Sequence, residues 1–168
     1  QEDKEQEEQE EQEEQEEEEE MVGAARRKKH EEEDFSQARW RRHRKHFFVV
    51  SASGKPVYSR YGDEQRLAPF MASLMALVSF VEDAGDALRY FVAGALQVVF
   101  LRRGPMLFVV LASTSEHRTD LARELHYMSS QLVSILTATT LTTIFASRAD
   151  YDLRDLLTAT DNLLLDNM

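Results

Sequence analysis

From His46 onward the chain alternates between short β-branched or aromatic runs and longer stretches whose apolar positions fall three and four apart. His46 to Ala52 is aromatic and β-branched and predicts a buried strand. Ser53-Gly54 is a turn signal, and Lys55 to Tyr61 resumes an extended run, so the two segments predict a hairpin. Pro56 has no N–H to give to a ladder, which places the second strand at a sheet edge. Gly62-Asp63 ends the hairpin, and a helix follows to about Ala84. On it Leu67, Phe70, Met71, Leu74, Leu77, Val78 and Val81 make one apolar stripe. Pro69 is tolerable only in the first turn of that helix, and Gly85 is a natural stop.

Three more strands are legible, Leu88 to Ala93, Leu96 to Arg102 and Met106 to Ala112. The last is apolar throughout, which predicts a central strand covered on both faces. A second long helix spans about Ser115 to Leu136, with Ser115 as N-cap and Leu121, Leu125, Met128, Leu132 and Ile135 facing the core. Thr137 to Thr143 is a threonine-rich connector, and about Asp150 to Leu165 predicts a third long helix. The order β-β-α-β-β-β-α-α describes an α/β (α+β) domain, a five-stranded, mainly antiparallel sheet with helices on its faces.

The first helix has no charge from Leu67 to Val81. Its side away from the core stripe carries Ala68, Ala72, Ser73, Ala76, Ser79 and Phe80, with Met75 at the shoulder. A solvent-facing side would carry Lys and Glu. Small residues let another helix approach closely, and an exposed Phe calls for cover. The cover is either another part of the chain or a separate protein. A separate protein is the favoured reading, because the terminal helices are needed on the other face of the sheet. The candidate partner-binding residues are Ala72, Ser73, Met75, Ala76, Ser79 and Phe80.

Charge changes this picture only at the N-terminus. The chain has 31 acidic and 20 basic side chains, and residues 1–34 hold 18 and 5 of them, which leaves 13 and 15 for the rest. The net charge of −11 therefore belongs to a Glu/Gln-rich, disordered acidic tail, assigned to residues 1–38, and the domain of residues 39–168 is near neutral. The Glu/Gln-rich start is the opposite of a signal peptide. The uncharged stretch of 15 residues falls short of the roughly 20 that span a bilayer. With no cysteine there is no disulfide or thiolate metal site.

The basic run Arg39 to Lys45, with Trp40 inside it, is of a kind that meets nucleic acid or an anionic membrane. Its plainer reading is a solvated lead-in to the first strand, with Trp40 laid on the domain surface. His43 and His46 read as a surface pair, and no metal-ligand spacing appears. No phosphate loop, nucleophile elbow or dinucleotide fingerprint is present. Glu124 and His126 lie on a charged helical face with no nucleophile beside them in sequence. Catalytic, cofactor and metal residues are accordingly expected to be none.

The segment KHFFVVSASGKPVYSRYGDE resembles the first longin domain of the Mon-one family of vacuolar fusion proteins. MALVSFVED, QVVFLRR, ELHYMSSQLVSILT and YDLRDLLTATDNL resemble the same family in the same order, so the likeness runs from about Trp40 to Met168. It implies a longin fold and a fragment of a protein with three such domains. It also implies pairing with a Ccz-one subunit in a heterodimer. That pair is a guanine nucleotide exchange factor for a late-endosomal or vacuolar Rab GTPase, cytoplasmic and peripheral on those membranes. Exchange proceeds by remodelling the GTPase switch region, without a cofactor or covalent catalysis. The alternative is a trafficking adaptor or coat-type longin module with the same fold and no exchange activity.

Overall fold

The computed structural model describes residues 30–136. The tail of residues 1–29, the threonine-rich connector and the last expected helix lie outside them. A short helix α1 (Ala38–Arg42) precedes strands β1 (Lys45–Ser51) and β2 (Pro56–Ser59). The long helix α2 (Glu64–Asp83), strands β3 (Tyr90–Ala93), β4 (Leu96–Arg103) and β5 (Met106–Ala112), and helix α3 (Arg118–Leu136) follow.

The strands form one sheet in the order β2-β1-β5-β4-β3, and every described pairing is antiparallel. Both positional expectations hold. β2, which begins at Pro56, is an edge strand, and β5 lies in the centre with every residue buried. Its register is set against β1 by Phe48↔Val109 and against β4 by Phe100↔Val109. A register shift between Val49 and Val50 in the β1–β2 ladder absorbs the turn at Gly54, where φ is +81°.

Side-chain alternation sorts the core into two clusters, one on each face of the sheet. Phe48, Val50, Leu107, Val109, Leu111, Val98 and Phe100 meet Leu67, Met71, Leu74, Met75 and Val78 of α2. On the opposite face Phe47, Val49, Met106, Phe108, Val110 and Val99 meet Leu121, Leu125, Met128 and Leu132 of α3. Helix α2 lies mainly over β2 and β1, and α3 over β4 and β5.

Several local expectations need correction. Pro69 is the sixth residue of α2, in its second turn, and the helix continues through it. The ring costs one intrahelical bond to the carbonyl of Gln65, and both residues are exposed, so water can take that carbonyl. Helix α3 begins at Arg118, so Ser115 is not its N-cap. The residue before the helix is His117, whose ring Nδ1 accepts from Thr119 N–H at 3.3 Å. Trp40 is not laid on the surface. It is 5% exposed, stacks on His46 with ring centroids 3.8 Å apart, and donates from Nε1 to the Tyr61 carbonyl at 3.2 Å.

Candidate functional site

Helix α2 owes its position to both ends. Asp63 caps it by accepting from Arg66 N–H at 2.9 Å, which satisfies one of the donors that a helix start leaves open. Near its C-terminus, Glu82 pairs with Arg102 of β4 at 3.3 Å. The same guanidinium lies 4.0 Å from the Met75 sulfur. Arg102 thus links the last turns of α2 to β4 through Glu82 and lies beside Met75.

The outcome for the six residues picked on this helix is mixed. Ala72, Ser73 and Ala76 are exposed, Ser79 is half-buried, and Phe80 is 75% exposed. Met75 is buried and packs with Leu74 and Val78 against the sheet, so it is core and not part of an outward face. Leu77, assigned to the core stripe, is 41% exposed instead. Phe70, on that same side of the helix, is covered by the lead-in segment, stacking on Phe35 at 6.1 Å and meeting Trp40 edge-on at 5.9 Å. Two turns further on, Leu77 has left that cover. The outward apolar surface is therefore Ser73, Ala76, Leu77 and Phe80, with Ala72 beside it.

Helix α3 presents a different exterior. Arg123 pairs with Asp120 at 3.2 Å, and His126 Nδ1 accepts from Arg103 at 3.0 Å. Glu124 binds Lys45 Nζ at 2.8 Å, and Glu116 holds the same ammonium at 2.6 Å. Burial alone would lower the Lys45 pKa, but hydrogen bonds and charge from these two carboxylates raise it above the ordinary lysine value. Glu124 and His126 are thus occupied in tying α3 to β1 and β4.

The sheet edge supplies a feature that the sequence did not single out. β3 pairs only with β4 among the described strands, and its Tyr90 and Val92 are exposed large side chains. Arg118 covers one face of the Tyr90 ring at 4.1 Å. Beyond β3 the edge of β4 opens into a groove of about 570 Å³, lined by Val78 and Glu82 on one side of the sheet and by Arg118 and Ala122 on the other. The sequence expectation of a strand from Leu88 to Ala93 hid it, because the strand observed is only Tyr90–Ala93 beside the longer Leu96–Arg103.

The histidines are not a surface pair. His46 is buried, and desolvation together with the charge of His43 pushes its pKa down to about 4. His43 Nε2 lies 2.7 Å from one carboxylate oxygen of Glu33, and His30 Nδ1 lies 3.0 Å from the other. Burial pushes the Glu33 carboxyl up, but hydrogen bonds and charge from His43 and His30 outweigh it and leave the group below its usual range. Contacts of residues 30–37 with the domain thus cross the boundary drawn at 38/39. In the basic run Arg39, Arg41, Arg42 and Arg44 are exposed.

A family profile described as the first longin domain of FUZ, MON1 and HPS1 matches residues 45–167. The chain belongs to this longin family. Its five-stranded antiparallel sheet with helices on both faces is the architecture expected of a longin domain. The vacuolar fusion protein MON1 homolog A of Gallus gallus is 47% identical over 135 residues, covering 78% of this chain and 25% of that protein. MON1 homolog A of Bos taurus is 48% identical over 129 residues, covering 74% and 23%. The MON1 homolog of Oryza sativa subsp. japonica is 44% identical over 132 residues, covering 79% and 23%. The longin chain spans about a quarter of the length of the curated relatives it matches. Among its described residues no helix is long and apolar enough to cross a membrane.

Proposed function

We propose that this longin domain is a protein-binding part of a heterodimeric guanine nucleotide exchange factor that activates a late-endosomal or vacuolar Rab GTPase in vacuole fusion. The observation that carries this reading is the outer side of α2, where Leu77 and Phe80 stand exposed on a helix with no charge between Leu67 and Val81. Such a face loses free energy in water and regains it under a partner. The small side chains of Ala72, Ser73 and Ala76 let that partner's backbone come close. Likeness to proteins named for vacuolar fusion supports a role in membrane trafficking. The partners are a Ccz-one-type longin subunit and the GTPase, and membrane association is peripheral, through the full complex.

The domain contributes surface to exchange and is read as regulatory rather than as an enzyme with its own active site. Nucleotide release requires the GTPase switch region to be held away from its Mg²⁺ and phosphate contacts. A rigid apolar helix on a five-stranded sheet suits that task, because it gives way less than the segment it displaces.

The test is nucleotide release from the vacuolar Rab, measured with this chain alone and with its Ccz-one counterpart. Stimulation by the mixture only is the expected result. Stable co-elution of the two without stimulation would keep the heterodimeric platform and assign the missing activity to the parts of the relatives that this chain does not span. Failure of both would remove the reading.

A further inference from the structure

His30, Glu33 and His43 bring one donor atom each to within 4.8 Å of one another. Two separate segments supply them, the turn that leads in from the tail and the residue that ends α1. Glu33 is 5% exposed, and among the described residues its carboxylate meets only the two imidazoles and no Lys or Arg. A buried carboxylate is costly unless a cation or several donors compensate it. Here both oxygens are directed at ring nitrogens, 3.0 Å to His30 Nδ1 and 2.7 Å to His43 Nε2.

The surrounding structure fixes these donors. The His30 carbonyl accepts from Glu33 N–H at 3.1 Å and from Gly62 N–H at 3.1 Å. The turn lies so close over Gly62 that a Cβ there would sit 2.3 Å from the Glu33 carbonyl oxygen. The His43 ring is stacked flat on Tyr61, with centroids 3.7 Å apart and planes within 5°. A His that is both packed and oriented loses little freedom on taking a ligand.

We propose that His30, Glu33 and His43 form a binding site for a divalent transition ion of the zinc class, which staples the segment following the acidic tail onto the domain. Two imidazole nitrogens and one carboxylate oxygen make a donor set that suits Zn²⁺ and leaves a fourth tetrahedral position for water. Bonds of about 2.0–2.1 Å place tetrahedral ligands about 3.3 Å apart, and the three donor atoms already lie within 4.8 Å of one another, so an ion would draw the widest pair together. On binding, His30 Nδ1 and His43 Nε2 present bare nitrogens to the ion, and any proton they carried passes to the other ring nitrogen or to solvent. The same donors disfavour Mg²⁺ and Ca²⁺, which take all-oxygen shells. That contrast separates this site from the Glu-rich tail, whose carboxylates attract any divalent cation.

The experiment uses the full chain, stripped with chelator and titrated with Zn²⁺ in excess Mg²⁺ by calorimetry, then with Co²⁺ by visible absorption. One ion per chain is expected, with the intense ligand-field bands of a four-coordinate site and a rise in unfolding temperature. His30→Gln removes the most exposed ligand without touching the core and should weaken binding at least about tenfold. His117→Gln, a control outside the cluster, should not. Circular dichroism checks that each variant is folded. Absence of binding above Mg²⁺ competition would overturn the site. So would binding that His30→Gln and His43→Gln leave unchanged, because the ion would then lie elsewhere, as on the tail.

Discussion

Helices α2 and α3 have the same task and different exteriors. Each is about twenty residues long, lies on one face of the same sheet, and buries a stripe that includes Leu and Met. The inner faces are interchangeable in kind. Leu67 and Met71 on one side and Leu121 and Leu125 on the other are all sealed from solvent. Outward, α3 carries ion pairs and a His–Arg contact, with Tyr127 as its exposed aromatic. α2 shows Ala, Ser, Leu77 and Phe80. The inner stripe is set by the fold and the outer side is free to vary, so the outer side is where a demand other than folding shows. On α3 the outer demand is solvation. On α2 the outer surface is the one to which we assign a partner.

The largest expected effects fall where the helices are alike. Leu67→Ala and Leu125→Ala should each cost about 2–5 kcal/mol in urea unfolding, since both remove fully buried side chains from packed clusters. If one of them cost little, the two faces would not be equivalent supports for the sheet. Gly62→Ala should also be severe, by about 2 kcal/mol or more. The glycine has φ +86° and faces the Glu33 carbonyl, so a side chain must lift the lead-in turn or strain the backbone. Hydrogen exchange in residues 30–34 would show the lifted turn directly.

The next effect should separate the helices. Phe80→Asp is expected to change unfolding free energy by less than about 1 kcal/mol, because the ring is already exposed, while weakening partner binding by about 2 kcal/mol or more. Tyr127→Asp, the matching change on α3, should alter neither. The smallest effect belongs to the α3 side. Lys45→Ala leaves Glu116 and Glu124 facing each other without their shared ammonium, and a loss of about 1 kcal/mol is expected by chemical denaturation. A loss near zero would mean that solvent already screens that junction.

Most of the architecture was legible because its signals are local. The edge position of β2 follows from Pro56, and the central position of β5 from seven consecutive apolar or small residues. Helical phase was harder. The spacing placed Leu77 inward and Met75 outward, and the structure reverses them by rotating the buried stripe about 40° around the axis. Met75 and Glu82 both meet Arg102 of β4, and no pattern within α2 announces a partner on another strand. The His30–Glu33–His43 cluster was missed for a similar reason. His30 and Glu33 sit in a charge-rich segment whose composition reads as tail, and only the turn over Gly62 brings them to His43. Trp40 was misplaced because charged neighbours on both sides suggested solvent. The short helix α1 keeps Arg39, Arg41 and Arg42 outside while turning the indole in.

The most direct test of the α2 face is nucleotide release from the vacuolar Rab by the complex with the Ccz-one counterpart, comparing wild type, Phe80→Asp and Tyr127→Asp at matched folded concentration. Loss of stimulation at Phe80→Asp, with wild-type unfolding behaviour and an unaffected Tyr127→Asp, is the predicted result. Full activity of Phe80→Asp, or its global unfolding, would contradict the assignment of that face to a partner.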